Sequence, residues 1–115
     1  MVDVPNSDCK TPLHLCAMYN KEDCVYVLLQ NHASVNAEDS TKRTPIHLAV
    51  MGDYINVLKL LILEPSAEIN KRDAFGQTPW HYTNEGSDCR KLIEAHQDFE
   101  HVSLISNNSN VKTNS

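Results

Sequence analysis

The 115-residue chain has the composition of one globular domain, with 41% apolar and 22% charged residues. Fifteen acidic and ten basic residues give a formal net charge of −5, which argues against a nucleic-acid-binding domain because such domains cluster Lys and Arg. No apolar stretch approaches the roughly 20 residues of a membrane-spanning helix, and the N-terminus lacks the features of a secretory signal. We therefore expect a cytoplasmic or nuclear protein with four reduced cysteines and no membrane insertion.

Three sequence blocks recur in the same order. The first opens with a Thr-Pro pair followed by a histidine: TPLHLC at 11–16, TPIHLA at 44–49 and TPWHYT at 78–83. The other two are an apolar run at 24–29 and 57–62, and the segments ASVN at 33–36 and AEIN at 67–70. Spacings of 33 and 34 residues indicate a repeat protein, in which each unit buries its apolar face against its neighbours.

Each unit predicts a pair of helices. The threonine can cap a helix, and proline suits the first helical position because it has no N–H to lose. The first helices are predicted from Leu13 to about Tyr19 and from Ile46 to about Met51. The apolar runs that follow have the spacing of buried second helices, and the polar segments 36–43 and 70–77 predict extended loops or hairpins.

This pattern resembles the ankyrin repeat over about residues 2–97. The resemblance implies an all-α solenoid, a stack of helix-turn-helix units that each carry a projecting β-turn finger. The repeats would cover about 7–39, 40–73 and 74–97, and residues 2–6 would be the end of a missing preceding repeat. Residues 98–115 are polar and of low complexity, so we expect a disordered tail.

The sequence departs from the ankyrin pattern at its glycines and in its third unit. The glycine of the helix-end loop is replaced by His32 and Ser66, which is costly if the backbone there is left-handed. The finger glycine remains only as Gly76, with Cys9 and Lys42 in the other units. In the third unit the second helix shortens to about 88–96 and becomes polar, as a C-terminal capping repeat requires.

The histidines and cysteines do not form a metal-binding or catalytic pattern. His14, His47 and His81 occupy one position in successive repeats, about 8–10 Å apart, too far to share a zinc ion. The resemblance implies that each bonds to its capping threonine and to a neighbouring finger. Cys24 and Cys89 follow acidic residues, which disfavour a thiolate. We expect no enzyme activity, no cofactor and no metal.

The family resemblance places a protein-binding surface on the concave side, formed by finger tips and first helices. Tyr, Met, Phe and Arg are enriched in interface cores, and Tyr19, Met51 and Phe75 come from three adjacent repeats. Arg43 is expected to act as a charge at the rim. The candidate partner-binding residues are Asp8, Lys10, Met18, Tyr19, Thr41, Arg43, Met51, Phe75, Gln77 and Glu85.

Two interpretations of the function remain open. The chain is either a protein-protein interaction module, or a regulatory or targeting ankyrin segment of a larger enzyme or channel. A stand-alone enzyme or metal protein fits less well. No polar cap precedes Thr11, so further ankyrin repeats or a second chain would cover the N-terminal face. The identity of the protein partner does not follow from the sequence, because a fold does not fix a function.

Overall fold

The computed structural model describes residues 8–96, and three repeated units account for them. The first holds α1 (Pro12–Met18) and α2 (Glu22–Gln30), and the second holds α3 (Pro45–Met51) and α4 (Ile55–Ile62). In the third, a 3-10 turn (Pro79–Tyr82) replaces the first helix, and α5 covers 88–96. Residues 8–96 contain no strand, and their paired helices agree with the predicted all-α solenoid. The expected leading fragment at 2–6 and the expected disordered tail at 98–115 lie outside the described residues.

The units stack in two rows of helices. Helix α1 packs against α3, which in turn packs against the 3-10 turn, while α2 packs against α4 in the second row. The apolar core fills the space between the rows, because each helix presents one apolar face to it. Its buried residues are Leu13, Ala17, Val25, Ala33, Val35, Ile46, Leu48, Ala49, Val50, Val57, Leu58, Leu61, Ile69, Cys89 and Ile93.

A reciprocal cap starts each first helix. The Thr11 Oγ1 atom accepts a hydrogen bond from the His14 N–H at 3.3 Å, while the Thr11 N–H donates to His14 Nδ1 at 3.0 Å. The same pair of bonds joins Thr44 and His47, at 3.4 and 3.1 Å. These bonds satisfy N–H groups that a helix start otherwise leaves unpaired. The Thr-Pro-x-His pattern is therefore a helix-start signal.

The same histidines connect adjacent repeats. Because Nδ1 accepts from the threonine N–H, the ring proton lies on Nε2. The Nε2–H of His14 donates to the Arg43 carbonyl at 2.8 Å, and that of His47 to the Gln77 carbonyl at 3.1 Å. Burial lowers the pKa of both imidazoles, so they are neutral at pH 7. Their role is structural, as the sequence predicted.

The two helix-end loops differ. His32 has a φ of 67°, and the N–H groups of His32 and Ala33 bond back to the last turn of α2 at 3.1 and 3.0 Å. This is a Schellman motif with histidine in the place that glycine usually takes. Ser66 is not left-handed, because the second loop is one residue longer and turns through Pro65. Of these two loop residues, His32 alone has the left-handed backbone that is costly for a residue other than glycine.

Polar contacts close the third repeat. Thr83 is extended (φ −81°, ψ 153°) and ends the 3-10 turn. Arg90 Nε donates to Thr83 Oγ1 at 2.7 Å, and its guanidinium lies 4.3 Å from the Trp80 ring centroid. The Trp80 indole N–H donates to Glu94 at 2.9 Å. Two charged residues of α5, Arg90 and Glu94, thus contact the Trp80 side chain of the 3-10 turn.

We expect the fold to lose stability as the pH falls below about 6.5. His14 and His47 have a lowered pKa in the folded state, so below the unfolded-state pKa the unfolded chain binds more protons. Protonation of the imidazole also removes the Nδ1 acceptor, so the hydrogen bond from the threonine N–H is lost. Thermal unfolding at pH values between about 8 and 5 should show a constant Tm at the upper end and a fall of several degrees below pH 6.5.

A histidine variant separates this effect from other titrations. His32→Asn keeps a residue that tolerates the left-handed conformation and should retain the full pH dependence. His14→Asn should be less stable and should lose part of that dependence. A Tm that does not change between about pH 7.5 and 5.5 in the unmodified chain would contradict the assignment of neutral, buried imidazoles.

Candidate protein-binding face

Three turns, here called the fingers, project from the helix rows at residues 8–10, 39–43 and 73–77. Each contains one residue in the left-handed region: Cys9 (φ 62°), Lys42 (φ 62°) and Gly76 (φ 76°). Glycine adopts this conformation without steric cost, whereas a residue with a Cβ does not. The fingers therefore share one backbone shape even where the glycine is replaced.

Two buried aspartates, Asp39 and Asp73, hold the second and third fingers closed. Asp39 Oδ1 accepts hydrogen bonds from the N–H groups of Thr41 and Arg43 at 2.8 and 3.0 Å. Asp73 Oδ1 accepts hydrogen bonds from the N–H groups of Phe75 and Gln77 at 2.9 and 3.0 Å. Lys10 Nζ lies 3.1 Å from Asp39 Oδ2. Sequence reasoning missed both aspartates, although each stands five residues before a Thr-Pro pair.

Backbone hydrogen bonds join each finger to the next. The Ser40 N–H donates to the Asp8 carbonyl at 2.9 Å, and the Ala74 N–H donates to the Thr41 carbonyl at 2.8 Å. The histidine bonds to Arg43 and Gln77 reach the same fingers from the helix side. Neighbouring fingers are thus fixed to each other, and side chains on them have defined relative positions.

A cluster of one cation, one anion and two rings forms between the second finger and the third repeat. Arg43 Nε lies 3.3 Å from Asp73 Oδ2, and its Nη2 donates to the Tyr82 hydroxyl at 3.2 Å. The Tyr82 hydroxyl donates to Asp73 Oδ2. The Arg43 guanidinium lies 5.2 Å from the Tyr82 ring centroid and 5.5 Å from that of Phe75. Arg43 therefore contacts three side chains at once.

The cluster fixes its own charge state. Burial by itself raises the pKa of Asp73, but hydrogen bonds from Tyr82 and two backbone N–H groups outweigh it and lower the pKa to about 2. Burial and the hydrogen bond to Asp73 raise the pKa of Tyr82. Arg43, which is expected from the sequence to act as a charge at the rim of the interface, has a side chain that is only 22% exposed and is held by this ion pair.

The ten predicted site residues fall into two groups of five. Half-buried are Lys10, Met18, Thr41, Arg43 and Gln77, and exposed are Asp8, Tyr19, Met51, Phe75 and Glu85. Four of the half-buried residues lie in the fingers and stabilise them, and Met18 packs against the core. Glu85 does not match Met51 in position, because the 3-10 turn ends at Tyr82 and Glu85 lies in the following turn.

Three of the exposed residues are large and apolar. Tyr19, which directly follows α1, is 63% exposed; Met51, the last residue of α3, is 44% exposed; Phe75, on the third finger, is 67% exposed. Helices α1 and α3 pack side by side and are related by the repeat, so Tyr19 and Met51 lie at corresponding ends. A surface formed by these side chains offers apolar contacts from three repeats.

Metal ligands, the buried Cys89 thiol and membrane-spanning helices are the remaining features to consider in residues 8–96. Within residues 8–96, no three His, Cys, Asp or Glu side chains are grouped as metal ligands. Burial and a hydrogen bond to Asp53 raise the pKa of Cys89 to about 12, opposite to the shift of an activated thiol. No helix of residues 8–96 combines the length and apolar character needed to cross a membrane.

Arg43→Gln should destabilise the domain by about 1–3 kcal/mol, because the buried Asp73 carboxylate loses its cation. Urea unfolding at neutral pH measures this loss. Arg72→Gln is the matched control: Arg72 is exposed and donates to the Gly76 carbonyl of the adjacent third finger at 2.8 Å. The stability lost in this variant should stay within about 0.5 kcal/mol. Equal midpoints for the two variants would show that the cluster does not stabilise the fold.

Comparison with known proteins agrees with the repeat pattern. The family model described as "Ankyrin repeats (3 copies)" matches residues 2–73. Rabankyrin-5 of Mus musculus is 42% identical over 73 residues, which cover 64% of this chain and 6% of that protein. The Xenopus laevis neurogenic locus notch homolog protein 1 is 35% identical over 97 residues, covering 81% of this chain and 4% of that protein.

A further relative with a different name shows the same pattern. The Mus musculus nuclear factor NF-kappa-B p105 subunit is 35% identical over 82 residues, covering 70% of this chain and 8% of that protein. The chain thus spans less than a tenth of the length of each of these relatives, and what it shares with them is the repeat. On the helix pairs, the fingers and the family match, the chain belongs to the ankyrin-repeat family.

Proposed function

We propose that this domain is a non-catalytic module that binds a protein partner through its concave face, made of the finger tips and the ends of the first helices. The observation that carries the proposal is the exposure of Tyr19, Met51 and Phe75, one from each repeat. Ankyrin repeats are generally protein-interaction modules. Large aromatic and methionine side chains are the usual anchors of such contacts.

The surroundings of these three residues suit a binding surface. Phe75 rests on the Arg43 guanidinium, which is itself held by Asp73. A ring supported in this way loses less conformational freedom when a partner covers it, and such preorganisation favours affinity. Asp8 and Glu85 are exposed and polar, the character expected at the rim of an interface.

The partner we propose is a protein rather than a nucleic acid, because the chain has a net charge of −5. We propose neither an enzyme activity nor a cofactor or metal: ankyrin homologues typically act by binding, and the pKa values of Cys16 and Cys89 are raised. The four free cysteines support a reducing compartment, the cytoplasm or the nucleus.

The test compares Tyr19→Ala, Met51→Ala and Phe75→Ala with Tyr26→Ala. Tyr26 is 54% exposed but lies on α2, in the second helix row. All four variants should keep stability within about 0.5–1 kcal/mol, since exposed side chains contribute little. Binding is measured by quantitative affinity capture from lysate. Each of the first three variants should bind its partner more weakly, by about 2 kcal/mol or 30-fold in Kd, whereas Tyr26→Ala should bind as the unmodified chain does.

Loss of binding through unfolding has a different signature. Replacing Pro45 or His47 should lower the Tm and the binding together, because these residues start and brace a central helix. If all three concave-face variants melt like the unmodified chain and retain every partner, the assignment of the concave face is wrong. The second helix row would then be the surface to test.

A second candidate function is that of a regulatory or targeting segment within a longer protein, whose first repeat packs on a further ankyrin repeat. The first and second repeats differ in the burial of equivalent positions. Cys24 is exposed and Leu28 half-buried, whereas the equivalent Val57 and Leu61 are both fully buried against the neighbouring repeat. The small share of each relative that the chain covers also supports this candidate.

Fusing a copy of residues 40–73 before the first repeat should raise the Tm by several degrees, since apolar surface on α2 becomes buried. Val27 lies on that surface and is 53% exposed, so Val27→Lys should leave the unfused chain unchanged and abolish the gain in the fusion. A gain that survives Val27→Lys would exclude stacking on this face. Sedimentation of the unfused chain as a concentration-dependent dimer would favour a second chain instead.

A further inference from the structure

An apolar groove of about 390 Å³ opens on the side of the first repeat. Two of the four cysteines contribute to it, one from each helix of the pair. Its lining consists of Pro12, Cys16, Asp23, Cys24, Val27 and Leu28. Cys24 is exposed and Cys16 half-buried, so both sulfur atoms are within reach of a small solute.

The repeat geometry brings these two thiols together. Cys16 lies in the middle of α1 and Cys24 in the first turn of α2, and the two helices pack against each other. The equivalent residues of the second repeat, Ala49 and Val57, are both fully buried in the core. The Cys16 and Cys24 side chains line the same groove. The pair is therefore two neighbouring thiols on an open face.

The two thiols have different surroundings. Burial raises the pKa of Cys16 to about 11, and the Cys24 sulfur beside it contributes in the same direction. Cys24 is the more exposed of the two, so it is the sulfur that meets an oxidant first. Cys16 lines the same groove and is the resolving thiol.

We propose that Cys16 and Cys24 are a redox-modification site that forms a reversible intramolecular disulfide with a hydroperoxide as the oxidant. The Cys24 sulfur attacks the peroxide while its proton passes to the leaving oxygen, so that an S–O bond forms, the O–O bond breaks and, with hydrogen peroxide, water leaves. The Cys16 sulfur loses its proton and attacks Cys24, forming the S–S bond and releasing the hydroxyl as a second water. Two thiols are oxidised and one peroxide is reduced to two waters.

The other cysteines provide an internal comparison. Cys9 is exposed on the first finger, and Cys89 is buried in the third repeat. Along the chain Cys9 stands seven residues from Cys16, and Cys24 stands eight, so the two loops have nearly the same closure entropy in the unfolded chain. A preference for the Cys16–Cys24 bond must therefore come from the fold.

The experiment oxidises the full chain with graded hydrogen peroxide, blocks the remaining thiols with N-ethylmaleimide and maps disulfides by mass spectrometry. All four cysteines fall on separate tryptic peptides, because Lys10 and Lys21 separate the first three and Lys42 lies between Cys24 and Cys89. We expect the folded monomer to lose two thiols and about 2 Da, with peptides 11–21 and 22–42 linked, and to recover both thiols with dithiothreitol. The same reaction in urea should give Cys9–Cys16 and Cys16–Cys24 links in similar amounts.

Variants distinguish the pair from general oxidation. Cys9→Ser should leave the link unchanged, whereas Cys24→Ser should abolish it without creating a Cys9–Cys16 link in the folded chain. Circular dichroism of each variant establishes that it is folded. The proposal is overturned if Cys16 and Cys24 both remain free while Cys9 is oxidised, if the only links are between molecules, or if the folded and urea-unfolded chains give the same distribution of links.

Discussion

The histidine of the Thr-Pro-x-His segment is the group on which the stack depends, because it acts within its own repeat and between repeats. Its Nδ1 atom accepts from the capping threonine, and its Nε2–H donates to a carbonyl of the next finger, at 2.8 Å for His14 and 3.1 Å for His47. The start of one helix thereby sets the position of the following turn. This coupling requires a neutral imidazole in one tautomer, which burial provides.

The second and third fingers accept this bond, and they give order to the surface proposed for binding. A finger carries no strand in residues 8–96, so its shape comes from a buried aspartate, one left-handed residue and the bonds to its neighbours. Tyr82 replaces the leucine found at Leu15 and Leu48, and its hydroxyl joins the Asp73 cluster. At this position the third repeat thus has a polar contact where the first two repeats have an apolar side chain.

Local patterns in the sequence were enough to predict the helices, because caps and apolar spacing act over a few residues. The bounds of α1 and α3 match the prediction to within one residue. The side-chain environment of the site was less predictable. Arg43 was assigned to the binding surface by counting from Thr44. No local sequence pattern predicts its ion pair with Asp73, which is 30 positions away. Glu85 is not placed like Met51, because the first helix of the third unit shortens to a 3-10 turn and counting from Thr78 did not include that change.

The two ends of the described stack differ in what they present to a neighbour. At the third repeat, Arg90 covers Trp80, and Glu94 accepts the indole N–H, so packing another helix pair there would have to desolvate charged groups. At the first repeat, the groove beside Val27 is apolar, and covering it would remove apolar surface from water. Of these two regions, the first repeat therefore presents the more apolar surface. The Cys16–Cys24 pair lies on that apolar surface, where the proposed disulfide would change the groups that it exposes.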